Sequence, residues 1–424
     1  MSQLKPFKAV YYNSKKIKDP KKVFCPPYDV ISTDEQDYYH RLNPHNFIHI
    51  LLGKDKRNDD SRSNKYVRAK KTYQDWIKKG VLIQDDKPSI YFYRQDYRIR
   101  GERHSRLGFI TLMELRDVED SKVYPHENTH SYVINDRLRL WRNLNANLSC
   151  IFVCFSDRQK KVEKIFNKQV CRDKPLFDIE DMDQINHKIW RLSDPDLIKE
   201  INDSIKDQSL FIADGHHRYK VAMEYRRLKM KRRLGSSKHK PFNYVMTYFT
   251  NIDSKDLQIL PMHRIIRRLP KKLDFLEEYF RIDKVAKKDD LIIPLTRAGQ
   301  NEHAFGLYTR DGIRLLRLKN RLLIDKYIKG GSKEYRSLDA TILKHFVFDR
   351  VGIKSDNIIY TKDFDEATRM VDHNEAAASF IMNPVKISQL KSIALNGERM
   401  PPKTTYFYPK VLSGLTIYKM DENK

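Results

Sequence analysis

No run of about 18 consecutive apolar residues occurs anywhere in the chain, which excludes an ordinary membrane-spanning helix. The opening residues, Met1-Ser-Gln-Leu-Lys-Pro-Phe-Lys8, carry no apolar segment of the secretion-signal kind, so the expected compartment is the cytoplasm. Cysteine is scarce: Cys25, Cys150, Cys154 and Cys171 show no Cys-x-x-Cys spacing, which speaks against a structural zinc or a disulfide framework. Cys150 and Cys154 lie in an apolar run and read as core packing. Also missing are a P-loop, a glycine-rich dinucleotide turn and a Gly-x-Ser-x-Gly nucleophile elbow, so any nucleotide must be held in another way. No internal repeat is present.

Acidic residues are outnumbered, 56 against 82 Lys and Arg, giving a net charge of +26. Such a field attracts polyanions. The basic runs, at Lys15–Lys22, Arg226–Arg233 and Arg267–Lys272, are scattered and not interleaved with aromatic residues. No helix-turn-helix, zinc-finger or RNA-recognition pattern accompanies them, so a nucleic-acid partner has no motif behind it. The runs read as solvated faces. Hydrophobic residues at 40% and aromatics at 11% require a folded core.

A length of 424 residues exceeds a single core and predicts two domains, 1–258 and 259–424, divided in the polar stretch before Leu260-Pro261. The periodicity predicts a helix over 65–79, a hairpin from strands 89–95 and 106–113 across a polar 96–105 connection, and a helix over 136–147. A buried strand over 150–156, a helix near 160–168 and strands at 187–192 and 243–250 follow. Residues 20–55 read as loop with short apolar pieces. Beyond Pro261 the expectation is a helix over 275–280, strands over 304–308 and 313–318, a helix over 339–348 and a strand over 378–382. This order predicts a mixed α/β (α+β) fold with a second α/β domain at the C-terminal end.

The densest cluster of functional residue types is Asp214-Gly215-His216-His217-Arg218. An apolar strand, Ser209–Ala213, runs into it, and a helix from His217 to about Arg233 leaves it with Val221, Ala222, Tyr225 and Leu228 on one face. Gly215 then sits at a helix start, where unpaired backbone N–H groups and the positive dipole end meet Arg218 and two imidazoles. That combination suits phosphate, with Asp214 either capping the helix or holding Mg²⁺. The ordinary alternative is an Asp-capped turn with surface histidines.

With Pro26-Pro27-Tyr28-Asp29-Val30-Ile31-Ser32, Asn43-Pro-His-Asn-Phe-Ile-His49, Tyr124-Pro-His-Glu127 with Thr129, Asp136-Arg137-Leu138, Leu260-Pro-Met-His-Arg264, Gly397-Glu-Arg-Met-Pro-Pro-Lys403 and Tyr406-Phe-Tyr-Pro-Lys410, that turn makes the chain resemble the family catalogued as domain of unknown function 1015. The turn is similar in turn to the ParB/sulfiredoxin-like superfamily, which includes CTP-binding partition proteins and an ADP-dependent free-serine kinase. The resemblance implies a nucleotide-binding core of that type. It implies ATP or ADP with Mg²⁺ as cofactor and a small hydroxyl metabolite as acceptor.

His126-Glu127-Asn-Thr-His130 matches the His-Glu-x-x-His zinc pattern, but Pro125 before it and the weak helix formers Asn128 and Thr129 argue against the helix that pattern needs. Glu127 instead suits the base that orients an acceptor hydroxyl in phosphoryl transfer. In that scheme Glu127, Asp214 and His217 are catalytic, while Gly215, His216, His217, Arg218 and Arg137 bind the nucleotide, Asp136 supporting Arg137. Tyr28 and Asp29, in a proline-stiffened turn, and Lys403 face the substrate. Two other functions fit the same residues: a nonenzymatic nucleotide-binding regulator of the partition-protein type with DNA contact, and a phosphoester hydrolase.

Overall fold

Arg100 and Gly101, at φ of 50° and 83°, close a tight two-residue turn between strands Ile90–Ile99 (β2) and Glu102–Glu114 (β3). The polar 96–105 stretch is therefore strand rather than connection. Across the ladder the Ser105 hydroxyl donates to Asp96 Oδ1 at 2.6 Å and the rings of Tyr97 and His104 stack 5.4 Å apart, while the Tyr97 hydroxyl donates to the Asp256 carbonyl at 2.7 Å.

The computed structural model describes residues 4–117, 121–231 and 240–420. Within them the chain forms two compact units: Met1–Tyr124 with Thr129–Leu257 and Pro409–Lys424, and Pro125–Asn128 with Gln258–Tyr408. Residues from Pro409 onward, read from sequence as C-terminal domain, thus pack with the first unit.

The first unit is built on a mixed nine-stranded sheet. In chain order its strands are β1 (Leu4–Lys5), β2, β3, β4 (Val123–Tyr124), β5 (Ile151–Phe155), β6 (Phe177–Glu180), β7 (Asn186–Leu192), β8 (Leu210–Asp214) and β9 (Tyr244–Asn251). Their spatial order is β4-β8-β5-β9-β3-β2-β7-β6, with β1 on β3; β4–β8 and β5–β9 are parallel and the other pairs antiparallel. All five residues of β5 are buried, which explains its continuous apolar run. Phe109, Phe155 and Phe249 meet ring to ring at 5.4–6.5 Å, and each fully buried Phe contributes roughly 1.5–3 kcal/mol by area alone.

Seven helices dress this unit among the described residues: α1 (Thr33–Leu42), α2 (Ile48–Leu51), α3 (Lys65–Lys78), α4 (Ser131–Leu144), α5 (Lys161–Ile165), α6 (Pro195–Ile205) and α7 (His216–Lys231). Helix α1, which the loop reading of 20–55 overlooked, has no fully buried residue and starts at a capping box in which Ser32 and Glu35 satisfy each other's backbone N–H groups. The side chain of Asn64 caps α3, which buries Ala69, Tyr73 and Trp76. Helix α7 buries Tyr219, Val221, Ala222 and Tyr225; the last two residues of its predicted span, Arg232 and Arg233, lie outside the described residues. No helix is long and apolar enough to cross a membrane among the described residues.

The second unit carries a six-stranded antiparallel sheet. Its strands are Phe280–Val285, Gly312–Leu318, Ala304–Thr309, Ala378–Ile381, His263–Ile266 and Ile358–Thr361 in spatial order. Ile265 belongs to the core on one face and its neighbour Ile266 to the core on the other, so both faces are covered. Phe280, expected in a helix, begins a strand instead; only Leu276–Tyr279 is helical.

Candidate functional site

Strand β8 ends at Asp214, where its pairing with β5 shifts register and sets Asp214 opposite Phe152. Gly215 follows at φ +87°, and α7 begins at once. An alanine Cβ at 215 would be strained by that φ and would stand 2.9 Å from Arg218 Nε, so both backbone and space call for glycine.

Arg218 folds back one turn over this glycine. Its Nη2 lies 2.5 Å from Asp214 Oδ2 and 3.5 Å from Asp29 Oδ2, and its Nη1 donates to the carbonyl of Cys150. Lys410 reaches the other oxygen of Asp214 at 3.0 Å. Burial opposes ionisation of Asp214, but Lys410 and Arg218 outweigh it and hold the carboxyl well below the usual carboxylate range. Burial likewise works against the charge of Arg218, and Asp29 and Asp214 overcome it. Arg218 is 4% exposed and ties β5, β8 and the Pro26-Pro27 turn together. With both Asp214 oxygens bonded to cations, the residues present do not form a preassembled Mg²⁺ site; among the described residues no group of three or more His, Cys, Asp or Glu side chains is placed to hold a metal.

Tyr28 and Asp29 form a short 3₁₀ turn after Pro27. The guanidinium of Arg137 lies 4.6 Å from the Tyr28 ring centroid, a cation–π contact. Arg137 also donates to Asp136 at 2.6 Å and to the Leu51 carbonyl at 2.7 Å, while Asp136 accepts from the Tyr66 hydroxyl at 2.6 Å. Burial, then the Asp29 carboxylate, pushes the Tyr28 phenol well above its ordinary value. A cavity of about 20 Å³ lies among Tyr28, Arg137, Trp141, Ser149 and Arg218, room for about one water molecule. Among the described residues, three buried polar atoms of this cluster have no hydrogen-bond partner: Tyr28 Oη, Asp29 Oδ1 and Arg218 Nε.

Of the two motif histidines, His216 is buried. His217 Nε2 accepts the backbone N–H of His130 at 3.0 Å, which puts the ring proton of neutral His217 on Nδ1. The His130 ring stacks on it at 5.8 Å.

Tyr28, Asp29, Arg137, Asp214, Gly215, His216, His217 and Arg218 thus all belong to the first unit, whereas Glu127 and Lys403 belong to the second. There the Thr405 hydroxyl lies 3.4 Å from Glu127 Oε1 and 3.0 Å from His126 Nε2; Lys403 adopts φ +52°. Residues 125–130 are not helical, and His130 precedes α4 as its N-cap, so the His-Glu-x-x-His pattern lacks its geometry. Sequence reasoning gave no role to Lys410 or to the Cys150 carbonyl. Lys410 stood in the Tyr406–Lys410 motif, whose spacing carries no sign of a partner 196 residues away.

A larger cavity, about 460 Å³, opens at the other end of β5 and β9, among Phe109, Phe155, Phe166, Asp157 and Asn251.

The chain belongs to the family described as "Protein of unknown function (DUF1015)", whose model matches residues 4–341. No curated protein matches it. Among solved structures it is similar to a conserved hypothetical protein from Pyrococcus furiosus (TM-score 0.34, 12% identity, 70% of this chain and 92% of that one). A free serine kinase in complex with AMP gives TM-score 0.34 and 13% identity over 68% of this chain and 83% of its own. SbnI with a C-terminal truncation, from Staphylococcus aureus, gives TM-score 0.38 and 9% identity over 73% and 87%.

Proposed function

We propose that the first unit binds a phosphate-bearing small molecule, ATP or ADP, at the start of α7, and that the chain is a phosphotransferase acting on a small hydroxyl metabolite. The observation that carries the reading is the coincidence of a helix start with buried, unpartnered polar atoms of Tyr28, Asp29 and Arg218. Buried polar groups are almost always paired, so three orphans in one cluster ask for a missing partner. The backbone N–H groups of residues 216–218, at the start of a 16-residue helix, have no intrahelical acceptor and face the positive dipole end. Lys410 is the cation able to turn from Asp214 toward a bound anion. Arg218, held by Asp214 and Asp29 through Nη2, offers its unpartnered Nε to the ligand.

Phosphoryl transfer asks the protein chiefly for positioning and charge compensation, which this cluster supplies. No catalytic step is routed through a protein-held metal, since Asp214 is already compensated. The superfamily assignment, a ParB/sulfiredoxin-like core, is part of the same proposal and rests on the strand–Gly–helix turn.

Titration calorimetry with ATP, ADP and inorganic phosphate, with and without Mg²⁺, tests the binding. Lys410→Gln is expected to weaken nucleotide binding about 10- to 100-fold, the loss of one charge-assisted contact of roughly 1.5–3 kcal/mol. Absence of binding to the wild-type chain refutes the proposal. Phosphorus NMR with a panel of hydroxyl acceptors then tests transfer itself.

A further inference from the structure

Asn43-Pro-His-Asn-Phe-Ile-His49, a motif the phosphate site does not use, brings two histidines together in the first unit. His40, in the last turn of α1, and His49, in α2, meet edge to face with ring centroids 4.7 Å apart. Their Nδ1 atoms lie 3.2 Å from each other. The Nε2 of His40 lies 3.0 Å from the Leu52 carbonyl oxygen, and that of His49 lies 3.2 Å from the Asn43 carbonyl oxygen.

A carbonyl oxygen only accepts, so both Nε2 atoms carry the ring proton. In two neutral imidazoles both Nδ1 atoms then carry bare lone pairs 3.2 Å apart. Such an arrangement needs an electrophile between them: a third proton or a metal ion.

We propose that His40 and His49 bind a divalent transition-metal ion of the zinc type through their two Nδ1 atoms. Bonds of about 2.0–2.1 Å at a tetrahedral centre place two ligand nitrogens roughly 3.3 Å apart, within about 0.2 Å of the observed separation. Each ring donates its other N–H to a backbone carbonyl, the outer-shell pattern that fixes the orientation and tautomer of metal-binding histidines. Asp37, one turn before His40 on α1, is paired with Lys54, so the protein ligands are the two histidines and water completes the shell. The rings are only half-buried, so ion and water have access.

The test is calorimetric titration of the chelator-stripped full-length protein with Zn²⁺, backed by Co²⁺ absorption spectra. One equivalent is expected to bind the wild type. Binding should fall at least 10- to 100-fold in both His40→Gln and His49→Gln and remain unchanged in a control at an exposed histidine of the second unit, His373→Gln. One-equivalent binding of equal strength in the His40 and His49 variants, or no such binding in the wild type, overturns the proposal; the second result leaves the pair a shared-proton bridge. If either variant fails to fold, long-range ¹H–¹⁵N spectra of the wild type decide. One equivalent of Zn²⁺ must shift the Nδ1 resonances of two histidines alone, and broadening spread across all 14 histidines refutes the site.

Discussion

The ammonium of Lys410 lies 3.0 Å from Oδ1 of Asp214, while Arg218 holds Oδ2 of the same carboxylate at 2.5 Å. One largely buried acid thus joins the start of α7 to a lysine 196 residues later.

Replacing that lysine tests the pair. Lys410→Gln should lower stability at pH 7 by about 1–3 kcal/mol, since it leaves Asp214 with a single cation. The folded-state pKa of Asp214 is depressed, so its contribution is fully present above the unfolded value near 4 and is lost as pH falls through the folded value. The gap between wild type and variant should therefore narrow below about pH 4. All three tryptophans, Trp76, Trp141 and Trp190, lie in the first unit, so urea unfolding followed by tryptophan fluorescence measures it.

Two glycines at similar φ should behave differently. Gly101→Ala, at +83° with nothing within 4 Å, should cost only the conformational strain, about 1 kcal/mol. Gly215→Ala, at +87° and crowding Arg218, should cost about 2–4 kcal/mol and weaken ATP or ADP binding as well. Equal losses in denaturation midpoint would sink the claim that Arg218 packs over Gly215.

Tyr28→Phe removes a hydroxyl that has no hydrogen-bond partner among the described residues and keeps the ring under Arg137. Without ligand the change should be neutral or mildly stabilising. Nucleotide affinity should fall about 5- to 30-fold by calorimetry if the ligand supplies the missing partner. Unchanged affinity would remove Tyr28 from the binding surface.

In the second unit, Arg264 is 4% exposed, donates to the Met262 carbonyl and lies 5.8 Å from the Tyr360 ring; among the described residues no carboxylate is within 4 Å. Burial disfavours this charge by more than Tyr360 and Asp339 favour it. Arg264→Met should be neutral or stabilising by about 1–3 kcal/mol, read by hydrogen exchange over 258–408. A loss of several kcal/mol would mean that the guanidinium makes contacts that outweigh its desolvation.

Local signals carried much of this architecture. The helix at Lys65–Lys78, the strands at Ile151–Phe155 and Asn186–Leu192, and the strand–Gly–helix turn at Asp214–His216 all follow from periodicity, caps and a left-handed glycine, because each depends on residues within a few positions. Helix α1 escaped because it buries no residue completely and so shows no core-facing stripe, only the Ser32–Glu35 box. The 96–105 strand extension escaped because its polar residues find partners across the hairpin (Ser105–Asp96) and in the distant Asp256 (Tyr97 and His104), which composition does not reveal.

The sequence by itself determined which residue types stand at the start of α7, since strand, glycine and helix are contiguous there. Only the tertiary structure decided what those residues do. Arg218 bonds to the carbonyl of Cys150 and to Asp29, and Asp214 to Lys410. Those partners converge through sheet order and the return of the C-terminal segment to the first unit, and Coulomb and hydrogen-bond energies depend on distance in space rather than on separation along the chain.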